Sequence, residues 1–361
     1  MDRRGFIGSA ATSLALAGCA SLPREALAPS AACLPRVTVA ESRVIRRVAG
    51  LRPYRRAGFV VRTEALGTKR LVHNYGHGGS GITLSWGTSR LAADLGLAGS
   101  EGPVAVLGAG IMGLSTARLA QERGRKVTIY TAALPPETTS NIAGGQIKPA
   151  LLYRGDAVDD AWRAQFAAAL EYSWRRFQIM IGDDYGVRWV PTYQEGSGPA
   201  RMPDNLVHAG QVDIPVDRSP FAGRAVRRFE TMYVETGRYL RRMTQDVLTA
   251  GGAIEVRAFG SRAEIAGLPE SVVFNCTGLG ARELFGDDQL IPMRGQLAVL
   301  LPQPEIDYAY EFDDGYMFPR PDGLLLGGTY ERGEERAETT PEAIARILAA
   351  HARINAAGCA S

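Results

Sequence analysis

At 361 residues the chain can bury a large core and is sized for two domains rather than one. A composition of 45% apolar and 22% charged residues is that of an ordinary globular protein. With 41 basic against 38 acidic residues the net charge is +3, which gives no reason to expect a nucleic-acid partner, and no apolar run is long enough to span a bilayer as a mature helix.

The first residues read as an address. Asp2-Arg3-Arg4-Gly5-Phe6-Ile7 places paired arginines before an apolar run that ends at Ala17, a signal-type segment too short for a transmembrane span. The arginines resemble a twin-arginine export signal. Leu16-Ala17-Gly18-Cys19 resembles a bacterial lipobox, in which the cysteine is lipidated and becomes the new N-terminus. Residues 1–19 are therefore expected to be a twin-arginine/lipoprotein signal, and residues 20–35, rich in Pro, Ala and Ser, a tether. The expected location is the periplasmic face of a bacterial membrane, with Ala20 rather than Asp after the cysteine favouring the outer one. A plain secretory signal cleaved nearby, with Cys19 incidental, is the alternative.

From Arg36 to Gly50 the mixture of Val, Thr, Arg and Ile fits a strand or a short helix equally. Gly50 to Arg55 reads as a loop in which Pro53 holds Arg52 extended. Phe59 to Arg62 and Arg70 to Val72 read as strands. The second leads into VHNYGHGGSGITLSWG, residues 72–87, which holds five glycines, four of them ahead of a helix that begins after Gly81. Such a loop offers close ligand approach, free N–H groups and the positive end of a helix dipole to an electron-rich group. After a polar linker from Leu97 to Pro103, the strand Val104 to Leu107 runs into Gly108-x-Gly110-x-x-Gly113. A helix to about Gly124 and the strand Lys126 to Tyr130 follow. This β-α-β context predicts a dinucleotide site with pyrophosphate on the helix N-terminus. The acidic residue that usually takes the ribose hydroxyls is missing, because Thr131, Ala132 and Ala133 stand there.

Thr138 to Gln146 is a second polar, glycine-bearing loop. Trp162, Phe166, Leu170, Trp174, Phe177 and Ile181 recur at helical spacing. Another helix starts at Thr236, followed by strands over Ala253–Arg257, Ser271–Asn275 and Leu297–Leu300. Tyr316–Arg320 and Leu324–Thr329 look like paired strands. Thr340-Pro341-Glu342 opens a last helix. Cys276 reads as a buried, inert thiol. The four histidines form no evident catalytic or metal set, so no metal site is expected, and His73 and His77 read as hydrogen-bonded loop residues.

Taken together, VLGAGIMGLSTA, TTSNIAGG, NCTGLGARELF, RGQ, YMFPR with LLLGGT, GLRPYR and VHNYGHGGSGITLSWG resemble the D-amino-acid oxidase family of FAD-dependent enzymes. The resemblance implies an α/β fold: a Rossmann-type FAD-binding domain (60–150 and 229–296) beside a mixed-sheet α+β substrate domain (36–59, 151–228 and 297–358). Family order is recovered by reading 104–358 and then 36–96, so the chain looks circularly permuted, with the old ends joined by Leu97 to Pro103. The new ends place Cys33 near Cys359, which implies a disulfide between them in an oxidising compartment.

By the same resemblance Arg52 pairs with the substrate carboxylate, Tyr316 holds it by its hydroxyl, and the Gly79 carbonyl accepts from the substrate amine. Expected FAD contacts are Gly108, Gly110, Ile111, Met112, Gly113, Thr138, Thr139, Ser140, Gly145, Gln146, Val256, Thr277, Gly278, Gly78, Gly79, Gly81, Ile82 and Thr83. Thr83 and its helix end are expected to face the flavin pyrimidine. Lys148 reads either as a determinant of acidic substrates or as a solvated rim lysine. Tyr308 to Gly315 reads as a shortened lid loop. The implied reaction is oxidation of a D-amino acid to a 2-oxo acid with ammonia and hydrogen peroxide, oxygen being the acceptor and no protein base being required. Alternatives are an acidic D-amino-acid oxidase, a dehydrogenase with another acceptor, and a flavin-binding protein without turnover. Oligomeric state is not legible in the sequence.

Overall fold

The computed structural model describes residues 33–196 and 209–356; the export signal, the Cys19 anchor, most of the tether and Cys359 lie outside the described residues. A 3₁₀ turn at Glu41–Arg43 leads into β1 (Val44–Arg55), then β2 (Val60–Leu66), β3 (Lys69–Tyr75) and helix α1 (Gly81–Leu97). Next come β4 (Val104–Leu107), α2 (Ile111–Gln121), β5 (Val127–Thr131), α3 (Thr139–Ile142) and α4 (Asp160–Gln178). The middle of the chain forms β6 (Val187–Glu195), β7 (Ala209–Ile214), β8 (Val226–Val234), α5 (Thr236–Thr249), β9 (Ala253–Val256), α6 (Arg262–Ala266), β10 (Val272–Asn275) and α7 (Ala281–Phe285). It closes with β11 (Leu290–Leu300), β12 (Ala309–Phe312), β13 (Gly315–Phe318), β14 (Leu324–Gly327), β15 (Glu331–Arg332) and α8 (Pro341–Ala356).

These strands form two sheets. The six-stranded sheet has the order β2-β3-β10-β4-β5-β9, parallel throughout except for the β2–β3 hairpin. Its central strands β4 and β10 are buried along their whole length, as a sheet covered on both faces requires. One cover is α1, α2, α4 and α5, whose Leu84, Trp86, Leu114, Leu170 and Leu240 join Val106 and Phe274 in one core. Asp159 caps α4 by accepting from the Trp162 N–H at 2.8 Å, which fixes where that helix begins.

The nine-stranded sheet runs β1-β11-β14-β13-β12-β6-β8-β7, with β15 alongside β11, and is mixed: β6 and β12 are parallel while the other pairs are antiparallel. Helix α8 packs on it through Ile344, Ile347 and Ile354. Domain limits at 229 and 296 would cut β8 and β11, and both strands lie wholly in this sheet.

Four expectations are corrected. Gly50 to Arg55 is strand, not loop, with Arg52 opposite Met293 and Pro53 opposite Pro292. Because β1 is an edge strand, a proline there disrupts little of the ladder. The polar loop 138–146 carries the short helix α3. Strands β6, β7, β8 and β12 were not visible in the periodicity. Finally, Tyr308 to Gly315 is no lid: it forms β12 and the two-residue turn into β13.

Candidate active site

A cavity of about 640 Å³ runs between the two sheets. One end is built by the carboxyl ends of the parallel strands. The Gly108 N–H donates to the Tyr130 carbonyl (2.7 Å), that of Ala109 to Thr131 Oγ1 (3.1 Å), and that of Ile111 to Ser140 Oγ (3.0 Å). A Cβ on Gly113 would collide with the Gly108 carbonyl, so the turn into α2 closes only with glycine there. Gly110 at the start of α2 has no side chain to cap it, Ser140 takes only the Ile111 N–H, and the N-terminal dipole opens on the cavity. Thr138, Thr139 and Ser140 line the wall beside it, and Thr277 and Gly278 also line the cavity, Thr277 next to Gly108. These features fit a dinucleotide: a helix N-terminus opening on the cavity, a tight turn that closes only with glycine, and hydroxyls around it.

Thr131, which stands where an acid was expected, spends its hydroxyl within the protein by donating to the Ala133 carbonyl (2.7 Å). Three predicted contacts are corrected. Val256 is 67% exposed at the end of β9 and does not line the cavity, whose wall there is Arg257 to Gly260. Gly113 shapes the turn without reaching the lumen. Thr83 is buried, with Oγ1 bonded to the carbonyls of Gln146 (3.3 Å) and Lys148 (3.1 Å), so it ties α1 to the 146–148 segment instead of facing the cavity. The remaining predicted contacts do line it: Gly108, Gly110, Ile111, Met112, Thr138 to Ser140, Gly145, Gln146, Thr277, Gly278, Gly78, Gly79, Gly81 and Ile82.

The other end gathers Arg52, Tyr316 and Gly79, from three distant parts of the chain. Arg52 rises from β1 over Gly295 of β11, where any Cβ would strike the guanidinium. Its Nη2 donates to the Tyr316 hydroxyl at 3.4 Å, its guanidinium faces the Tyr330 ring at 5.5 Å, and its Nη1 is buried with no partner among the described residues. A buried guanidinium nitrogen left unpaired is costly unless an anion meets it. Tyr316 stands on β13 with its ring against Gly327 of β14, where a side chain would displace it. Although its ring is half exposed, partial burial of the phenol and then the neighbouring Tyr316 push Tyr330 up to about 12, so it stays neutral.

Gly79 sits in a 3₁₀ turn whose N–H donates to the Leu151 carbonyl (3.2 Å). Leu151 is itself held at φ +48, a left-handed conformation unfavourable for leucine. Ser80 Oγ both donates to the carbonyl and accepts from the N–H of Ala150, each at 2.8 Å, which clamps the glycine loop to the 148–151 segment. Helix α1 begins here without a side-chain cap, with Gly81 and Ile82 facing the cavity.

The histidines beside the site are neutral structural groups. Burial pushes His77 down to about 3, and its Nε2 pairs with Thr88 Oγ1 (3.0 Å). Burial also lowers His73, which bonds Glu64 and Asn275 from inside β3, a strand and not a loop. Burial raises the Cys276 thiol to about 12, in keeping with an inert role. Sequence reasoning missed Tyr330 and Glu311. Glu311 had a usable signal, since it is the one charged residue in the apolar run Tyr308–Phe312 apart from Asp307 just before it. Lys148 is neither a rim lysine nor a free cation: only 10% exposed, it lies 2.7 Å from Glu311 Oε2.

A family profile described as "DAO: FAD dependent oxidoreductase" matches residues 17–95 and 103–355. A D-amino-acid oxidase of Streptomyces coelicolor is 34% identical over 261 residues, covering 69% of this chain and 76% of that protein. One from Rubrobacter xylanophilus is 30% identical over 253 residues, covering 67% and 74%. Among solved structures, glycine oxidase from Bacillus cereus shares the fold with a TM-score of 0.51 at 16% identity, over 71% of this chain and 79% of that one.

Proposed function

The chain belongs to the DAO family of FAD-dependent oxidoreductases, and from that premise we propose that it oxidises D-amino acids to 2-oxo acids, ammonia and hydrogen peroxide. The observation that carries the reading is the buried, unpaired Nη1 of Arg52 beside the Tyr316 hydroxyl, in the same cavity as the dinucleotide cradle. A planar guanidinium with a free edge is suited to a bidentate carboxylate.

When bound, FAD supplies the acceptor for the hydride that leaves Cα and passes the electrons on to oxygen. Arg52 and Tyr316 fix the α-carboxylate, and the Gly79 carbonyl takes an N–H of the amine, so the two anchors orient Cα toward the α1 end of the cavity. The uncapped α1 N-terminus stabilises negative charge that develops there. No side chain is needed as a base, because the neutral amine supplies the electron pair and its own N–H proton leaves to water; His77, pushed down to about 3 and bonded to Thr88, is a poor proton acceptor. Hydrolysis of the imino acid then releases ammonia.

The same proposal includes export with the cofactor already bound and anchoring through Cys19, supported by the Arg3-Arg4 and Leu16–Cys19 motifs. It also includes circular permutation. In support, the family match falls in two segments that break at the α1–β4 connection, where Gly99 and Gly102 adopt positive φ on the surface.

Oxygen uptake and peroxide release with a panel of amino acids test the reading. D-alanine consumes oxygen and L-alanine does not. Uptake with no D-amino acid rejects the oxidase, and turnover only with an artificial electron acceptor replaces it by a dehydrogenase.

A further inference from the structure

The cavity wall near Arg52 holds an ion pair that the chemistry above does not use. Lys148 Nζ lies 2.7 Å from Glu311 Oε2 and donates to Gln194 Oε1 at 2.9 Å. The second Glu311 oxygen accepts from the Gln146 amide, which also donates to the Tyr233 hydroxyl at 2.8 Å. The two charged side chains are 10% and 22% exposed, so solvent screens the pair far less than an ion pair on the surface.

Its place in the fold ties it to the substrate. Glu311 on β12 is the register partner of Tyr316 on β13, and directly opposed residues of an antiparallel pair project from the same face. Lys148 follows the segment held by Thr83, at the start of α1. Both side chains line the same cavity as Arg52. The Arg52 charge is there for the α-carboxylate, while those of Lys148 and Glu311 cancel. A second carboxylate on the substrate meets a lysine already committed to Glu311 and an anion that repels it.

We propose that the Lys148–Glu311 pair determines side-chain selectivity, admitting D-amino acids with uncharged side chains and rejecting D-aspartate and D-glutamate. The inference rests on the D-amino-acid reading above and narrows it to a substrate class. The pocket charge it invokes is read by binding alone, without turnover.

The test uses FAD-loaded wild type, Glu311→Gln, and Glu311→Gln combined with Lys148→Arg, the last keeping a cation whatever the lysine does once unpaired. Calorimetry gives the affinities for propionate and succinate, and initial rates give kcat/KM for D-alanine and D-glutamate. Wild type favours propionate and D-alanine, and in both variants the preference moves toward the dicarboxylates by ~10-fold or more. Retained flavin absorbance shows that each variant is folded. Wild type that prefers succinate, or variants with unchanged ratios, overturn the assignment. If no D-amino acid is oxidised but the binding ratio shifts, the oxidase reading fails and the pair keeps its role. If D-alanine is oxidised and the ratios stay fixed, the reverse holds.

Discussion

Arg52 is the residue on which the site turns, and its surroundings explain why a lysine could not replace it. The guanidinium is sandwiched between Gly295 and Tyr330, a slot for a flat cation, and only one of its two terminal nitrogens has a partner among the described residues. Arg52→Ala is expected to raise the substrate KM by ~100-fold or more, since it removes the proposed charge-assisted bidentate contact. An unchanged KM in steady-state kinetics rejects Arg52 as the anchor. Tyr316→Phe removes one hydroxyl and should cost about tenfold in kcat/KM. Arg52, Tyr316 and Gly79 were all legible in the sequence because their motifs are local. Tyr330 was not, and Glu311 showed only as a lone charge in an apolar run, because the role of each comes through partners far along the chain: Arg52 for the first, Lys148 for the second. The fate of Lys148 illustrates the same limit. A lysine after a glycine loop looks solvated until the fold brings Glu311 to it.

At the scale of elements, β1 and β11 act as a frame that presents Arg52 over a bare backbone. Gly295→Ala should push the guanidinium aside, so KM rises at least tenfold while FAD binding, measured by flavin fluorescence, is kept. Helix α8 braces the hairpin that carries Tyr316. His351 Nε2 donates to the Gly327 carbonyl (3.0 Å), which leaves Nδ1 to accept from the Tyr310 hydroxyl (2.6 Å). Burial lowers His351 from its ordinary value of 6.5 to about 4, so the unfolded chain binds a proton that the native state refuses. Stability from this group is complete above about pH 6.5 and falls by up to ~3 kcal/mol as the pH drops to 4. Thermal unfolding across that window should show the slope, and His351→Gln should flatten it. The β-α-β unit and most helices were readable because their periodicity is continuous. Strands β6 and β8 were not, since Pro191 and the Arg227-Arg228 pair break the alternation, and only their mutual register makes sheet of them.

For the whole molecule, the proposed rearrangement of the family order joins the glycine-rich clamp to β4 through residues 98–103. Helix α1 follows β3 and precedes β4, and those two strands flank β10 in the sheet. A chain rebuilt to run from Val104 to Ala356 and then, through a short linker, from Arg36 to Leu97 should fold and bind FAD with a Tm within several degrees of the natural order; failure to fold contradicts the permutation. Cys33 is disulfide-bonded, and Cys276 is free and buried. We propose Cys359, outside the described residues, as the partner. The Val37 N–H bonds Asn355 Oδ1 at 3.3 Å, four residues in from each cysteine. Peptide mapping without reductant should recover a Cys33–Cys359 peptide, and Cys359→Ser should cost about 2–4 kcal/mol of stability. The central claim is that one cavity brings a D-amino acid held by Arg52 to a bound flavin. Anaerobic mixing of the FAD-loaded protein with D- and L-alanine tests it most directly. The flavin's visible absorbance should be lost with the D enantiomer, persist with the L enantiomer, and persist with both in Arg52→Ala at the same concentration. Persistence of the absorbance with every D-amino acid would contradict it.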